Sequence, residues 1–244
     1  MRREPVWRQI YLALSDDIAC GRYRSGDRLP SEAALAARFG VNRHTLRRAL
    51  AQLRAEGAVH VRRGAGATVS APPVRYTLGL RTRFRDNIAR SGRLGHRKML
   101  RMETLRADAE QAELLALAPG AAVHVAESIG FADNVPISHA VSVFPAARFP
   151  ELARHLAEHP SVSYAFGKAG LADYARAWTR LRAGLANALQ ARHLRIEPGT
   201  PVLLTRSLNV DPAGQPVEYG RSCFAADRVE MAVDAGTPTP AGIG

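Results

Sequence analysis

The sequence predicts an α+β protein in two parts: a small helical lobe closed by a hairpin, then an antiparallel-sheet domain assembled from two similar halves. Three observations predict it. Residues 1–72 hold 13 basic and 6 acidic side chains, while 73–244 hold 21 and 16, so net positive charge per residue falls more than threefold across Pro72-Pro73. Apolar residues recur at helical spacing before that proline pair. After it, a set of residues repeats itself at an offset of 79 to 80 positions. The expected boundaries are 1–72 for the first part, a linker over 73–80, and 81–240 for the second.

In the first part Val6, Ile10, Leu14 and Ile18 give one helix an apolar face until Gly21 ends it. A turn from Arg24 to Pro30 follows. Ser31 caps a short helix from Glu32 to Phe39, closed by Gly40, and Asn42 caps a third helix through about Glu56. Two short helices separated by Gly40-Val41-Asn42 read as a helix-turn-helix. Val59, Val61, Thr68 and Val69 then alternate around a glycine-rich, cationic tip, Arg62-Arg-Gly-Ala-Gly-Ala67. Helix, helix-turn-helix and this wing in order make a winged helix-turn-helix.

The second part repeats. Ala118-Pro119-Gly120 with Val123 recurs as Glu197-Pro198-Gly199 with Val202, and Arg97 and Arg101 recur as Arg176 and Arg180. Pro136, Phe144 and Arg148 recur as Pro216, Phe224 and Arg228 after a hairpin turn one residue longer. A helix from Phe84 to Ser91, ended by Gly92, answers one from about Ser161 to Gly170. Each half reads as a short helix, a strand, a helix and a long hairpin, and the two together form one antiparallel sheet with helices on a face.

Composition narrows the class. The chain carries 34 Lys+Arg against 22 Asp+Glu, a net charge of +12, with Lys98 and Lys168 its only lysines. An arginine excess of this size points to nucleic acid or small anions as partners. Cys20 and Cys223 stand far apart without metal-ligand spacing and are expected to be small buried residues in a reducing compartment. No stretch approaches the roughly 18 apolar residues of a spanning helix, so a cytoplasmic protein without a membrane partner is expected. No phosphate loop, nucleophile–base pairing or metal cluster is recognisable, so neither catalytic residues, nor a cofactor, nor a metal is expected.

The third helix carries the sharpest signal. Asn42-Arg-His-Thr-Leu-Arg-Arg48 places guanidinium and short polar groups at the helix end that meets base edges in a major groove. Arg43 and Arg47, four apart, can fork onto guanine or phosphate; His44 and Thr45 add hydrogen bonds and a methyl for thymine, and Arg48 adds charge. At the wing tip Arg62, Arg63, Gly64 and Gly66 suit close approach to a minor groove or phosphate.

These residues carry a resemblance. Leu29-Pro-Ser-Glu32, Leu35-Ala-Ala-Arg-Phe-Gly-Val41, Arg43, Thr45, Arg47, Ala49-Leu50, Leu53, Glu56-Gly57 and Gly64-Ala-Gly66 resemble the signature of the GntR family of bacterial transcription regulators. Thr82-Arg-Phe84, Pro119-Gly120, Asp133 to Pro136, Arg148-Phe-Pro150, Pro198-Gly199 and Pro216-Val-Glu218 resemble the effector-binding domain of its HutC subfamily, which implies a chorismate-lyase-like fold. The run Val41 to Ala49, with Arg83-Phe84 and Asn87, looks most like that subfamily's phosphonate-metabolism regulators. The resemblance implies a homodimeric regulator, in this family more often a repressor, on a double-stranded operator, controlled by a small anionic effector such as a phosphonate or phosphorylated metabolite that either releases or promotes DNA binding. It implies DNA contacts from Ser31, Arg43, His44, Thr45, Arg47, Arg48, Arg63 and Gly64.

For the effector, Thr82, Arg83 and Asn87 at one helix start and Ser161 at the other are the candidate phosphoryl holders, because helix N-termini present unpaired N–H groups. Arg176 and Arg180 on the following strand would add guanidinium groups, and Glu218 and Tyr219 would hold the ligand's other end. Relatives that bind phosphosugars carry arginines where this chain has Glu127-Ser-Ile-Gly130, against a phosphosugar in the same pose. Two rivals stay open: a dimeric DNA-binding protein without a ligand, and a chorismate-lyase-like enzyme.

Overall fold

Helix α1 (Val6–Ala19) follows Pro5 and buries Ile10 and Leu14, while Val6 in its first turn stays exposed. The computed structural model to which it belongs describes residues 4–24, 26–62 and 66–233. The chain divides into two units between Pro72 and Pro73.

In the first unit the Ser31 side chain accepts the Ala34 N–H to cap α2 (Glu32–Phe39), and Gly40, at φ 64°, closes it in a left-handed conformation cheap only for glycine. Asn42 likewise accepts the Thr45 N–H to cap α3 (Arg43–Ala55). Leu46, Ala49, Leu50 and Leu53 form the inward face of α3 and meet Leu14, Leu35 and Val59 in one core. Strands β1 (Val59–Arg62) and β2 (Gly66–Val69) pair antiparallel as the wing. The turn segment ahead of α2 joins them: the Leu29 N–H donates to Ala67 O at 2.8 Å and the Val69 N–H to Asp27 O at 2.9 Å. Asp17, 7% exposed, takes Arg22 at 2.9 Å and Arg38 at 2.7 Å, so α1 and α2 share one carboxylate. Cys20, expected inside, is exposed because it sits at the α1 C-cap; Cys223 is buried.

The second unit runs β3 (Val74–Thr77), α4 (Phe84–Arg90), β4 (Gly95–Arg106), α5 (Ala109–Leu114), β5 (Ala122–Ala132), β6 (Val135–Pro145), α6 (Leu152–Glu158), α7 (Val162–Lys168), β7 (Ala175–Leu185), α8 (Ala188–Leu194), β8 (Pro201–Val210), β9 (Pro216–Ala225) and β10 (Val229–Ala232). Six strands make one antiparallel sheet in the order β4-β5-β6-β9-β8-β7, which reads the same from either edge once the halves are exchanged. The duplication is therefore a pseudo-twofold, with β6 and β9 paired at its axis. Helices cover both faces rather than one. Helix α4 packs Phe84 and Ile88 on Ile137 and Phe224, and α6 and α7 pack Leu152, Leu156 and Phe166 on Ala126 and Phe144. On the opposite face α5 packs on Val123, Val143 and Tyr219, and α8 on Val202, Cys223 and Ala225.

Two expectations need correction. Residues 73–80 are not a bare linker, since β3 pairs in parallel with β10 and its alternating Val74 and Tyr76 are buried. The strand was missed because its partner lies at the other end of the unit, where no local pattern announces it. Helix α6 was missed too, being two turns long; residues 234–240 of the expected domain lie outside the described residues.

Two contacts fix α4. A Cβ on Gly130 would lie 2.4 Å from Ser138 Oγ and 2.5 Å from Phe84 Cζ, so only glycine lets the Phe84 ring rest on β5. Asn87, 1% exposed, accepts the Thr77 N–H at 2.7 Å and donates to Arg83 O at 3.1 Å, tying β3 to the start of α4. Gly130→Ala is expected to lower stability by about 1–3 kcal/mol through overpacking. Asn87→Ala should cost about 1–3 kcal/mol by leaving a buried N–H without an acceptor. Urea unfolding of the full chain checks both, and an unchanged midpoint for either variant contradicts the packing described.

Candidate functional site

Each unit holds a candidate site. In the first, the exposed N-terminal turns of α3 present Arg43, His44, Arg47 and Arg48, with Leu46 between them facing the core. Arg47 Nε donates to Glu32 Oε2 at 2.8 Å, but both side chains are over a third exposed. Such a pair is worth about 0–1 kcal/mol, so Arg47 can leave it for a base at little cost. The Arg48 guanidinium lies 4.6 Å from the centre of the Trp7 ring, which holds it alongside α1. Thr45 Oγ1 donates to Asn42 Oδ1 at 3.0 Å, so its hydroxyl serves the cap and its methyl remains for a base. Ser31 Oγ is likewise the acceptor that starts α2. Arg63 and Gly64 lie outside the described residues.

One cation here escaped the sequence reading. Arg28, taken only as part of a turn, bridges Thr68 of β2, and its Nε would lie 3.3 Å from a Cβ on Gly66. It adds a guanidinium at the base of the wing. The signal was present, because glycine at the matching wing position leaves room for a side chain to cross.

In the second unit a cavity of about 320 Å³ lies on the sheet face that carries α4 and α7. Its floor comes from β4, β6, β7, β8 and β9, and its rim from residues 82–86 and 160–163. Four arginines line it: Arg83, Arg97 and Arg176, with the exposed Arg85 at the rim. The Arg83 guanidinium lies 3.4 Å from the Tyr174 ring centre and donates to Tyr174 O at 2.6 Å. Arg97 stacks 4.2 Å over Phe84 and donates to Ser128 Oγ at 3.0 Å. Burial pushes the Arg97 pKa down, and burial pushes the Tyr174 phenol up to about 12. Glu218 accepts from Ser142 Oγ at 2.7 Å and from Asn209 Nδ2 at 2.6 Å, so its carboxylate is held by neutral donors.

Several lining atoms are left without a partner. Arg83 Nη1, Arg176 Nε, Thr179 Oγ1 and Asn209 Oδ1 are buried and make no hydrogen bond. Buried polar atoms are nearly always paired, so four of them around one cavity mark a place for a polar ligand or its waters. Cationic donors outnumber carboxylates there, which selects an anion.

Five of the eight expected effector residues meet here: Thr82, Arg83, Ser161, Arg176 and Glu218. Three do not. Asn87 holds α4 from behind, with both ends of its amide spent. Arg180 sits on the opposite face, over Trp178, because a bulge between Arg176 and Trp178 breaks the alternation that would have kept the two arginines together. Tyr219 is next to Glu218 on a strand and so points the other way, fully buried, accepting from Arg206 Nε at 2.9 Å. The helix ends contribute less than expected. Ser161 Oγ already accepts the Tyr164 N–H, and Asp86 stands in the first turn of α4. Arg97, Tyr174 and Asn209 were missed, although the match of Arg97 to Arg176 in the duplication pointed to the first of them.

Comparison with known proteins matches each unit to a family. The model of the gntR family of bacterial regulatory proteins matches residues 7–69, and that of the UTRA domain matches 90–230. An uncharacterised HTH-type transcriptional regulator of Rhizobium meliloti is 39% identical over 94% of each chain. The probable transcriptional regulator PhnF of Escherichia coli is 32% identical over 87% of this chain and 88% of its own. The crystal structure of PhnF from Mycobacterium smegmatis superposes with a TM-score of 0.64 at 26% identity, over 92% of this chain and 98% of that one. These relatives are regulators rather than enzymes, and no described helix is long and apolar enough to cross a membrane. The chain belongs to the GntR family of transcription regulators, in the subfamily that joins the DNA-binding helix-turn-helix to a UTRA domain.

Proposed function

We propose that the protein is a cytoplasmic, homodimeric repressor whose UTRA pocket takes a small phosphonate or phosphate ester, and that this ligand releases its operator. The observation that carries the ligand class is the trio Arg83, Arg97 and Arg176 around one cavity, with unpartnered donors on two of them. A tetrahedral dianion satisfies several guanidinium donors at once. Thr82 and Ser161 lie at the same rim, and Glu218 offers acceptor capacity to a donor group on the rest of the ligand. The resemblance of Val41 to Ala49 to phosphonate-metabolism regulators favours a phosphonate within that class. On the DNA side, Arg43 and Arg47 read bases, His44 and Thr45 assist, and Ser31, Arg48, Arg63 and Gly64 approach the backbone. Twofold symmetry of the dimer would be mirrored in two operator half-sites.

Calorimetry and thermal shift of the full chain against a panel of alkylphosphonates and phosphate esters test the pocket. One or more members should bind and weaken operator affinity, and Arg97→Met should weaken ligand binding about 10- to 100-fold. A panel in which no compound shifts the melting temperature or the operator affinity overturns the ligand class. Arg47→Ala should cost roughly 1–3 kcal/mol of operator affinity and relax preference at one base position, read by gel shift on selected duplexes. A footprint and affinity equal to wild type would remove Arg47 from base reading.

A further inference from the structure

On the sheet face opposite the pocket, three metal-ligand side chains from three segments converge. Glu127 comes from β5, His139 from β6 and His193 from α8. His139 Nε2 is 2.7 Å from Glu127 Oε1, and His193 Nε2 is 3.9 Å from the same oxygen. All three donor atoms lie within 4.8 Å of one another. The two imidazoles stack with centroids 4.7 Å apart. The site is sheltered, with side-chain exposures of 16%, 10% and 20% in the order named. We propose that Glu127, His139 and His193 bind one divalent transition-metal ion of the zinc class, which pins α8 to the sheet.

Three arguments support the assignment. The first is geometric. A tetrahedral zinc ion with ligand bonds of about 2.0–2.2 Å separates its ligand atoms by about 3.4 Å, so the donors bracket the required spacing and need shifts of about an ångström. Two imidazoles and one carboxylate, with a position left for water, are a donor set that suits zinc and its neighbours rather than calcium or magnesium. The second is electrostatic. Arg101 Nε lies 3.5 Å from Glu127 Oε2 and takes the carboxylate's second oxygen, leaving Oε1 to the two imidazoles.

The third argument comes from the pseudo-twofold. Glu127 and His139 correspond to Arg206 and Tyr219 in the other half. There the protein supplies its own cation: Arg206 pairs with Glu110 of α5 and donates to the Tyr219 hydroxyl, so helix and sheet are joined by an internal guanidinium. At the equivalent junction under α8 a carboxyl group and two imidazoles meet, and a bound metal ion would do what Arg206 does in the other half. Sequence reading expected no metal because the three ligands are separated by 11 and 53 intervening residues and match no ligand spacing.

The test uses the untagged full-length chain, stripped with EDTA and dialysed. Titration with zinc chloride should end at one ion per chain, and a hundredfold excess over the dissociation constant should raise the melting temperature by about 5–10 °C. Cobalt chloride should give the visible absorption of a four-coordinate site with nitrogen and oxygen ligands. His193→Gln, which alters a partly exposed helix position, should leave the melting temperature in EDTA within about 2 °C while weakening zinc at least about tenfold, the loss typical even of an outer-sphere partner. Glu127→Gln should do the same while retaining an oxygen acceptor for His139. Failure of the wild type to hold zinc at micromolar free metal, or undiminished binding by both variants, overturns the proposal. Neither result bears on the anion pocket, so the two readings fail separately.

Discussion

The pairing of β6 with β9 is the constraint on which the second unit depends. Ser138 faces Phe224, Ala140 faces Ser222 and Ser142 faces Gly220 across this one ladder, and no other main-sheet ladder joins the two halves. Because the ladder lies on the pseudo-twofold axis, small residues there leave the space that becomes the cavity floor: Ala140, Ser142, Gly220 and Ser222 all line it. A larger side chain at any of them would fill the pocket from below. The same ladder puts Ser142 beside Glu218, so the hydrogen bond that orients the pocket's carboxylate crosses from one half to the other. Half of the duplicated unit alone would have neither a closed core nor a floor.

The two outer strands show how the duplicated arginines were divided. Arg97 and Arg101 on β4 match Arg176 and Arg180 on β7, and equal spacing suggests that each pair shares a face. Each strand carries a bulge between its two arginines, at Met99/Arg101 and at Arg176/Trp178. One inserted residue inverts the alternation beyond it. Arg97 and Arg176 therefore meet in the cavity, while Arg101 reaches Glu127 and Arg180 lies over Trp178 on the other side. The bulges thus allocate charge, two guanidinium groups to the cavity and two to the opposite surface.

Legibility followed the range of the forces involved. Helix caps at Ser31, Asn42 and Ser161, and the αL glycine at 40, act within four residues, so the first unit could be read nearly to its boundaries. The duplication was legible because two copies of one pattern supply their own comparison. What escaped depends on partners far along the chain. Strand β3 needs β10, the Arg83 guanidinium needs the Tyr174 ring, and Glu127 needs His139 and His193. The misplacement of Arg180 and Tyr219 has a different cause, since a strand's side-chain direction changes with every bulge and with every residue counted, and sequence spacing records neither.

The chain itself connects the pocket rim to Pro72. Strand β3 starts two residues after Pro72, and the loop Leu78 to Arg83 runs from it straight into the pocket rim. That loop is held from the far half: Arg81 makes a two-pronged pair with Asp173 at 2.6 and 2.8 Å, and the Arg176 N–H donates to Leu80 O at 2.8 Å. Arg83 and Arg176 therefore lie at the two sides of a seam between halves, and both carry an unpartnered donor. An anion that bridged them would tighten the seam and, with it, the segment that leads back through β3 to the domain junction. Ligand binding changes operator affinity only by the difference in affinity between two states of the protein. For the proposed function, a seam with one such arginine on each side is where a difference of this kind can arise, because bridging stabilises only the arrangement in which both donors reach the same anion.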